Sequence, residues 1–350
     1  MPPMHEKCPP LIAAYHGMSP EFAGEPAFAG AGAAVLGRAR LGRGLWLGAR
    51  SVIRADGHHI HVGDDFHLGE GATVHIAHDV YPTHVGQNVT AGKGAVIHAC
   101  TIGDNCVIER GAVILDGSEV ADGVVVTAGS VVFPRSKLEA GWLYSGSPAQ
   151  RVARVSASEL ASYHQQTRND LSSGKAGPAG DGAGRGHVFV APTATLAGRV
   201  TMEEGVGVWY GCRLEAGSHE IRIGEGTNVQ DNSTILCETR DVEIGPDVTI
   251  GHNVLLVDCR VERASLVGIG SRIAAGTVIE SDVLVAAGTE TEPDQRLTGG
   301  KVWAGRPARP IADMTDARRG MLAATLPMYR DYATQFAGTS HQPMLQPGEE

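Results

Sequence analysis

An aliphatic residue that returns every six positions is the feature that most constrains this fold. The six-residue units run from Ile60 to about Phe133, and the second half repeats the scheme from Ile221 to about Thr289. Each unit offers one aliphatic side chain for the interior and a glycine or small polar residue for a corner. The pattern predicts an all-β solenoid of stacked triangular coils, with three units to a coil.

The same solenoid segment occurs twice in the chain. Residues 88–100 and 247–259 align without gaps at an offset of 159 positions. The two copies differ where chemistry would be located, because Lys93 corresponds to His252 and His98 corresponds to Val257. We therefore expect a tandem duplication whose halves are no longer equivalent.

The duplication predicts two domains, each a parallel β-helix followed by a C-terminal α-helix. Their expected bounds are residues 22–171 and 187–338, with a flexible glycine-rich linker over 172–186. The helices are expected over 156–171, where Ser156 and Glu159 form a capping box, and over 315–336. Residues before about 22 and after about 338 are expected to be loose tails.

Composition restricts the partners of the chain. The net charge of -10 and pI of about 5.8 disfavour nucleic acid and anionic membranes as partners. We see no signal peptide and no membrane-spanning apolar stretch. The six cysteines lack CxxC spacing, which favours unbridged, buried thiols and a cytoplasmic location.

Both halves resemble the gamma-class carbonic anhydrases almost end to end. The matching segments are 53–56, 72–75, 96–103 and 142–149 in the first half, and 208–211, 220–233, 248–254 and 305–308 in the second. A generic hexapeptide acyltransferase would share the rhythm but not these segments. The resemblance implies a left-handed β-helix and trimeric packing of domains. It also implies zinc, or another divalent metal such as Fe²⁺ or Co²⁺, bound between neighbouring subunits.

The resemblance also implies three histidine ligands on two sides of the coil. His75 and His98 are one coil plus a five-residue bulge apart, so they are expected on one side, here called the first face. The family's third histidine belongs to the adjacent side, here called the second face. That position is Lys93 in the first half and His252 in the second.

The two halves have lost opposite parts of the family site. On the first face, the first half keeps Arg54, Asp56, His75 and His98, whereas the second half has Glu215, Gly217, Leu236 and Val257 there. On the second face, the second half keeps Gln230 and His252, whereas the first half has Gly69 and Lys93. We infer a composite site between the two domains in which His75, His98 and His252 bind the metal.

The predicted activity is reversible hydration of carbon dioxide to bicarbonate. By resemblance Gln230 would orient the reacting water or substrate, and His78 would move the proton outward. Arg54 and Asp56 could instead form a plain inter-subunit salt bridge, and Gln230 could belong to a polar side-chain ladder. Other histidines of the first half, including His59, His61 and His84, are expected to be incidental.

Two further functions and two assemblies remain open at this stage. A metal-dependent hydrolase or lyase could act on another small polar substrate, and a scaffold protein of the same fold would need no metal. We expect a homo-oligomer, because three domains would close each trimer. Its chains could build mixed trimers or stacked layers of like domains.

Overall fold

A computed structural model describes residues 8–171, the backbone of 183–184, and residues 187–344. The chain divides into two compact units. Unit 1 comprises Met1–Pro178 with Gly338–Glu350, and unit 2 comprises Ala179–Ala337. The expected linker lies outside the described residues apart from Ala183–Gly184, which form a short strand.

Unit 1 consists of short strands followed by one helix. Its elements are β1 (Leu11–Ala13), β2 (Glu21–Phe22), β3 (Phe28–Ala29), β4 (Ala34–Leu41), β5 (Trp46–Leu47), β6 (Val52–Val62), β7 (His67–Leu68), β8 (Thr73–His75), β9 (Thr83–Val85), β10 (Thr90–Ala91), β11 (Val96–His98), β12 (Thr101–Ile102), β13 (Val107–Ile108), β14 (Val113–Ile114), β15 (Glu119–Val120), β16 (Val125–Val126), β17 (Val131–Val132), β18 (Lys137–Leu138), β19 (Trp142–Gly146), β20 (Ala149–Arg154) and α1 (Ala157–Asn169).

Unit 2 repeats this order, and one further strand after it returns to unit 1. The elements are β21 (Ala183–Gly184), β22 (Phe189–Val190), β23 (Thr195–Met202), β24 (Gly207–Val208), β25 (Arg213–Ile223), β26 (Asn228–Val229), β27 (Thr234–Leu236), β28 (Val242–Ile244), β29 (Thr249–Ile250), β30 (Leu255–Val257), β31 (Arg260–Val261), β32 (Leu266–Val267), β33 (Arg272–Ile273), β34 (Val278–Ile279), β35 (Leu284–Val285), β36 (Arg296–Leu297), β37 (Lys301–Ala304), β38 (Arg309–Asp313), α2 (Asp316–Ala337) and, in unit 1, β39 (His341–Pro343).

Each unit is a three-sided parallel β-solenoid, as the six-residue rhythm predicts. In unit 1, β8, β11, β14 and β17 stack on the first half of β6 and form the first face. The strands β9, β12, β15 and β18 stack on the second half of β6 and form a third face. The second face is a separate sheet from β3 through β5, β7, β10, β13 and β16 to β19.

The interior is a column of aliphatic side chains in register from coil to coil. On the first face, Ile53, Val74, Ile97 and Ile114 follow one another in the strand pairing, and none is measurably exposed. Burial of one such side chain contributes roughly 1.5–3 kcal/mol relative to exposure. The repeated column therefore holds the coils in a fixed register and fixes the position of the outward side chains.

The solenoid extends further than the six-residue rhythm indicates. Regular stacking begins at Phe28 in unit 1 and at Phe189 in unit 2, and it continues to Gly146 and Ala304. The early coils escape the rhythm because β6 and β25 are 11-residue strands that continue past a corner. Both strands carry a glycine between their two halves, Gly57 in β6 and Gly217 in β25, but no turn separates the halves, so the six-residue punctuation disappears there.

The expected loose tails are instead ordered where the structure describes them. The strand β1 pairs in parallel with β4, and β39 pairs antiparallel with β1. Met344 also contributes to the core of unit 1. The prediction was wrong because two short strands closing the first coil leave no periodic signal.

Both predicted helices are present. The helix α1 starts after Ser156, whose side chain and that of Glu159 form the predicted capping box. It packs on β10 and β13 of the second face. The helix α2 packs on β22, β24 and β29, where Tyr329 and Tyr332 meet the buried ring of Trp209.

The cysteines are unbridged, and five of the six are buried, as predicted. Burial raises the pKa of Cys106 and of Cys259 to about 12. These thiols are small apolar core residues rather than nucleophiles. Among the residues that the structure describes, no helix is long and apolar enough to cross a membrane.

Candidate metal centre

Two histidines stack on the first face of unit 1. His75 ends β8, His98 ends β11, and the two are directly paired in the parallel register. The bulge that separates the two coils is closed by a bridge between Ala77 and Tyr81. The predicted spacing of one coil plus a bulge is therefore the spacing that the structure has.

The two ring nitrogens that face each other in this pair are separated by a distance that suits binding to one metal ion. Nδ1 of His75 lies 3.3 Å from Nε2 of His98. A tetrahedral zinc with Zn–N bonds of about 2.0–2.1 Å requires ligand nitrogens about 3.3–3.4 Å apart. The pair thus offers two of the four positions of a tetrahedral ion with no change in backbone.

Carboxylates hold the other nitrogen of each ring. Nε2 of His75 lies 3.1 Å from Oδ1 of Asp56, and Nδ1 of His98 lies 2.6 Å from Oδ1 of Asp116. A carboxylate on the remote nitrogen fixes the tautomer and orientation of a metal-binding imidazole and raises its basicity. The arrangement fits a metal centre better than an isolated pair of histidines would.

The Arg54–Asp56 motif lies within a single unit and is fully buried. The guanidinium of Arg54 forms a salt bridge with Asp56, whose other oxygen accepts a hydrogen bond of 2.9 Å from the Gly57 amide. The same carboxylate thereby balances a buried cation and orients His75. This finding gives the motif a role inside the chain beyond the plain inter-subunit salt bridge considered above.

The second face of unit 2 carries the third candidate ligand. His252 follows β29 and is buried, and its Nδ1 lies 3.2 Å from Oδ2 of the buried Asp231. The other oxygen of Asp231 accepts a hydrogen bond of 3.1 Å from the Tyr210 amide. His252 is therefore the third histidine of the predicted set that has a carboxylate beside it.

Gln230 lies one coil before His252 in a polar ladder. Its amide nitrogen donates to Oδ1 of Asn228 at 3.3 Å, and Asn228 donates to Oγ1 of Thr249 at 3.1 Å. Gln230 is thus hydrogen-bonded into a polar ladder. In this hydrogen bond the amide nitrogen of Gln230 is the donor, and the amide oxygen can accept a further hydrogen bond.

The matching place in unit 1 is occupied by the end of helix α1. Lys93 forms an ion pair of 3.3 Å with Asp170. A Cβ atom at Gly69 would lie 2.6 Å from the backbone of Gly92 and Lys93 and 2.8 Å from the Leu171 side chain, so the position cannot take the family's glutamine without a shift of the next coil. At positions 69 and 93 the second face of unit 1 is therefore filled by its own chain.

The first face of unit 2 lacks metal ligands at the family positions. The strand register places Glu215, Leu236 and Val257 in one column, at the places that Arg54, His75 and His98 hold in unit 1. Glu215 forms an ion pair with Arg213. Two half-exposed aliphatic side chains in the column cannot bind a divalent ion.

His78 is located in the bulge after His75. Its side chain is 36% exposed, and Nε2 lies 3.3 Å from the Asp79 carboxylate, which is 79% exposed. The residue is thus at the surface, next to a group that is freely hydrated. The position is suitable for proton exchange with solvent.

Asp116 and Asp231 are the residues that the sequence reasoning missed. Asp116 follows His98 by 18 positions, one more than the 17-residue offset between β11 and β14, and Asp231 precedes His252 by 21. A search for carboxylates one coil away from each candidate ligand would have found the first. The second needed the coil length of unit 2, which is longer at that point.

The solenoid and its paired histidines define a hexapeptide-repeat protein with a candidate metal centre. Residues 82–116 match the family of bacterial transferase hexapeptide proteins (six repeats). A solved structure from Desulfovibrio desulfuricans G20, provisionally named an acetyltransferase, has a TM-score of 0.56 and 15% identity. The match covers 99% of this chain and 88% of that chain. At this identity the similarity is evidence for the fold and not for a function.

Two curated relatives indicate a narrower family within the hexapeptide-repeat proteins. Gamma carbonic anhydrase 1, mitochondrial, of Arabidopsis thaliana is 34% identical over 163 residues, which are 45% of this chain and 59% of that protein. Protein YrdA of Escherichia coli is 30% identical over 163 residues, which are 44% of this chain and 89% of YrdA. The chain belongs to the gamma-class carbonic anhydrase-like family of hexapeptide-repeat proteins, and it spans about half to three fifths of the length of the plant relatives.

Proposed function

We propose that the chain is a metal-dependent, carbonic anhydrase-like enzyme that hydrates carbon dioxide reversibly. Its ligands would be His75 and His98 from unit 1 and His252 from unit 2. The observation that carries the proposal is the carboxylate beside each of these imidazoles, from Asp56, Asp116 and Asp231 respectively. Three oriented imidazoles with one open position are the usual protein ligands of catalytic zinc.

Complementary closure of the unused half-sites supports a composite centre. In unit 1 the second face is filled by Lys93, Asp170 and Leu171, so this unit would not receive a third histidine there. In unit 2 the first face presents Leu236 and Val257 in place of ligands. The remaining competent combination is the first face of unit 1 with the second face of unit 2.

The overall reaction combines carbon dioxide and water to give bicarbonate and a proton. A divalent metal at such a site lowers the pKa of water to about 7 and so makes hydroxide available at neutral pH. The amide of Gln230, held by Asn228, would accept a hydrogen bond with its oxygen and orient the reacting water. The Arg54–Asp56 pair would hold His75 in one orientation and stabilise its position.

The proton must leave the site once in each turnover. We propose His78 as the group that transfers it, because its side chain is partly exposed beside the hydrated Asp79. An imidazole can both accept and release a proton, which is what a group that transfers protons to solvent must do. A His78→Ala variant is expected to slow turnover at low buffer concentration and to recover when imidazole is added. Unchanged turnover at low buffer would remove His78 from the mechanism.

The test uses the full chain, stripped with a chelator and reloaded with Zn²⁺, Co²⁺ or Fe²⁺. Stopped-flow measurement of carbon dioxide hydration is expected to show activity in the reloaded protein and background rates in a His252→Ala variant. His219→Ala, which removes a histidine outside the proposed site in unit 2, is the matched control and should retain activity. Metal content is measured on the same samples.

Each remaining outcome selects a different function. Stoichiometric metal without carbon dioxide hydration would indicate a hydrolase or lyase for another small polar substrate, in a pocket shaped by the bulge at 77–81. Lack of metal in a folded protein would indicate a scaffold protein. Both outcomes would overturn the proposed activity.

We propose a homo-oligomer in which the domains pack as trimers, as the resemblance to the family implies. Solution mass by light scattering tests this assembly. The six unbridged cysteines are consistent with a reducing compartment, for which we propose the cytoplasm.

A further inference from the structure

Three histidines meet on the third face of unit 1, which the proposed carbon dioxide site does not use. His59 and His61 are two positions apart on β6, so their side chains point to the same side of the strand. His84 on β9 pairs directly with His61 in the parallel register. Strand geometry therefore places the three imidazoles together on the outside of the solenoid.

The distances within this cluster are short. The ring centroids are 5.0 Å apart for His59 and His61, 5.2 Å for His59 and His84, and 5.5 Å for His61 and His84. One nitrogen from each ring can be chosen so that all three lie within 4.8 Å of one another. Zinc needs about 3.3 Å between ligand nitrogens, which partly exposed side chains reach by small rotations.

Unit 2 fills the same positions in a different way. The register matches His59, His61 and His84 to Glu220, Arg222 and Glu243. Arg222 donates to Glu220 at 2.7 Å and to Glu243 at 2.6 Å, so the surface of unit 2 is an ion network that is complete in itself. Unit 1 has three imidazoles in place of that network.

The charged neighbours of the cluster are already engaged with other groups. Arg38 donates to the Asp56 carbonyl oxygen at 3.0 Å, and Arg40 forms an ion pair of 3.0 Å with Glu21. Arg38, Arg40, His59 and His61 are among the residues that line a cleft of about 350 Å³. The cleft gives a hydrated ion direct access to the cluster.

Two of the three imidazoles, those of His59 and His84, are in surroundings that favour the neutral form, which is the form that binds metal. Burial lowers the pKa of His59, and the neighbouring His58, His61, His84 and Arg38 lower it further. Burial and the adjacent imidazoles of His61 and His58 lower the pKa of His84 in the same way. A cluster of uncharged nitrogen donors is suited to late first-row divalent ions.

We infer that His59, His61 and His84 form a second metal site, separate from the proposed catalytic centre, for a divalent ion that prefers nitrogen ligands. Affinity at such sites rises toward Cu²⁺ and is lower for Zn²⁺. Cu²⁺ is therefore the most sensitive probe of the site. The inference does not depend on the proposed carbon dioxide activity.

The test exchanges the cluster for the residues of unit 2. A triple variant carrying His59→Glu, His61→Arg and His84→Glu installs an ion network that unit 2 already tolerates, so the protein is expected to fold. Cu²⁺ is titrated into the wild type and the variant, each stripped of metal, and followed by equilibrium dialysis and electron paramagnetic resonance. The variant is expected to bind one Cu²⁺ fewer per chain and to lose one set of nitrogen couplings.

Two controls connect the result to this cluster. His219→Ala, which removes the unit 2 histidine equivalent to His58, should leave the number of bound ions unchanged. The triple variant should keep the thermal midpoint of the wild type and its rate of carbon dioxide hydration, whatever that rate is. Equal Cu²⁺ stoichiometry and equal spectra in the wild type and in a folded triple variant would overturn the second site.

Discussion

At the scale of single residues, the carboxylates beside the histidines are the decisive feature. Asp116 holds the remote nitrogen of His98 at 2.6 Å, whereas its own side chain is 40% exposed. Its contribution to folding should therefore be small and its contribution to metal binding large. A substitution of Asp116 therefore tests the orientation of His98 with less effect on folding than a substitution of the buried Asp56 would have.

An Asp116→Asn variant is expected to bind its metal about 10–100-fold more weakly, as is usual when the hydrogen-bond partner of a ligand is altered. The amide keeps the size of the carboxylate but removes the charge that raises the basicity of His98. Competition with a metal indicator measures the change. Glu119→Gln alters an exposed carboxylate paired with Lys137 and should leave the affinity as it is. Equal affinities in the two variants would contradict the role of Asp116.

The proposed ligands could be named from the sequence, but the carboxylates beside them could not. His75 and His98 follow from the spacing of one coil plus a bulge. Asp116 has no motif of its own, because an aspartate near a turn is common in this chain. Its role follows only from the pairing of β11 with β14, which brings Asp116 beside His98, and that pairing depends on how the coils stack.

At the scale of elements, α1 is the part that closes the second face of unit 1. His164 docks the helix, because its Nδ1 accepts a hydrogen bond from Oγ1 of Thr90 at 2.8 Å and its Nε2 lies 3.3 Å from the Asn105 carbonyl oxygen. Arg168 adds hydrogen bonds to Thr90 and Asn88. Burial lowers the pKa of His164, and Arg168 and His67 act in the same direction against the bond to Asn105.

The docking of α1 should therefore weaken in acid. A histidine with a lowered pKa in the folded state binds fewer protons there than in the unfolded state. Its contribution to stability is thus present above the unfolded pKa of about 6.5 and declines as the pH falls below that value. Hydrogen exchange of the α1 amides is expected to be faster at pH 5.5 than at pH 7.5, after correction for intrinsic rates.

His164→Gln is the matched control for this pH dependence. Glutamine can accept from Thr90 and donate to Asn105 but carries no titrating group in the range. Its α1 amides should show less change in protection between the two pH values than those of the wild type. An equally large change in both proteins would assign the effect to another group, with His67 next to be tested, since burial lowers its pKa as well.

The regular coils could be predicted from sequence, and the irregular ones could not. Glycine and aliphatic residues alternate where each strand ends at a corner. In β6 and β25 the backbone continues past the corner, and outward residues such as Arg54 and His59 interrupt the pattern. The types of residue on the outer side of such a continuous strand do not recur every six positions.

At the scale of the whole molecule, the proposed site needs a contribution from each unit. His75→Ala and His252→Ala should therefore each reduce carbon dioxide hydration to background, and the double variant should lose nothing further. Independent sites in the two units would instead give losses that add. Steady-state rates of the three variants, with metal content measured alongside, distinguish these cases. His187→Ala, outside the proposed ligand set, should leave the rate unchanged.

The closure of the unit 1 second face by its own helix also limits how this lineage could change again. Placing His at position 93 would not by itself complete a site within unit 1, because Asp170 and Leu171 already occupy the neighbouring space. In the proposed site, each copy would be an obligate counterpart of the other. The two duplicated segments would then stay dependent on each other, because no single reverse substitution restores a complete site within either half.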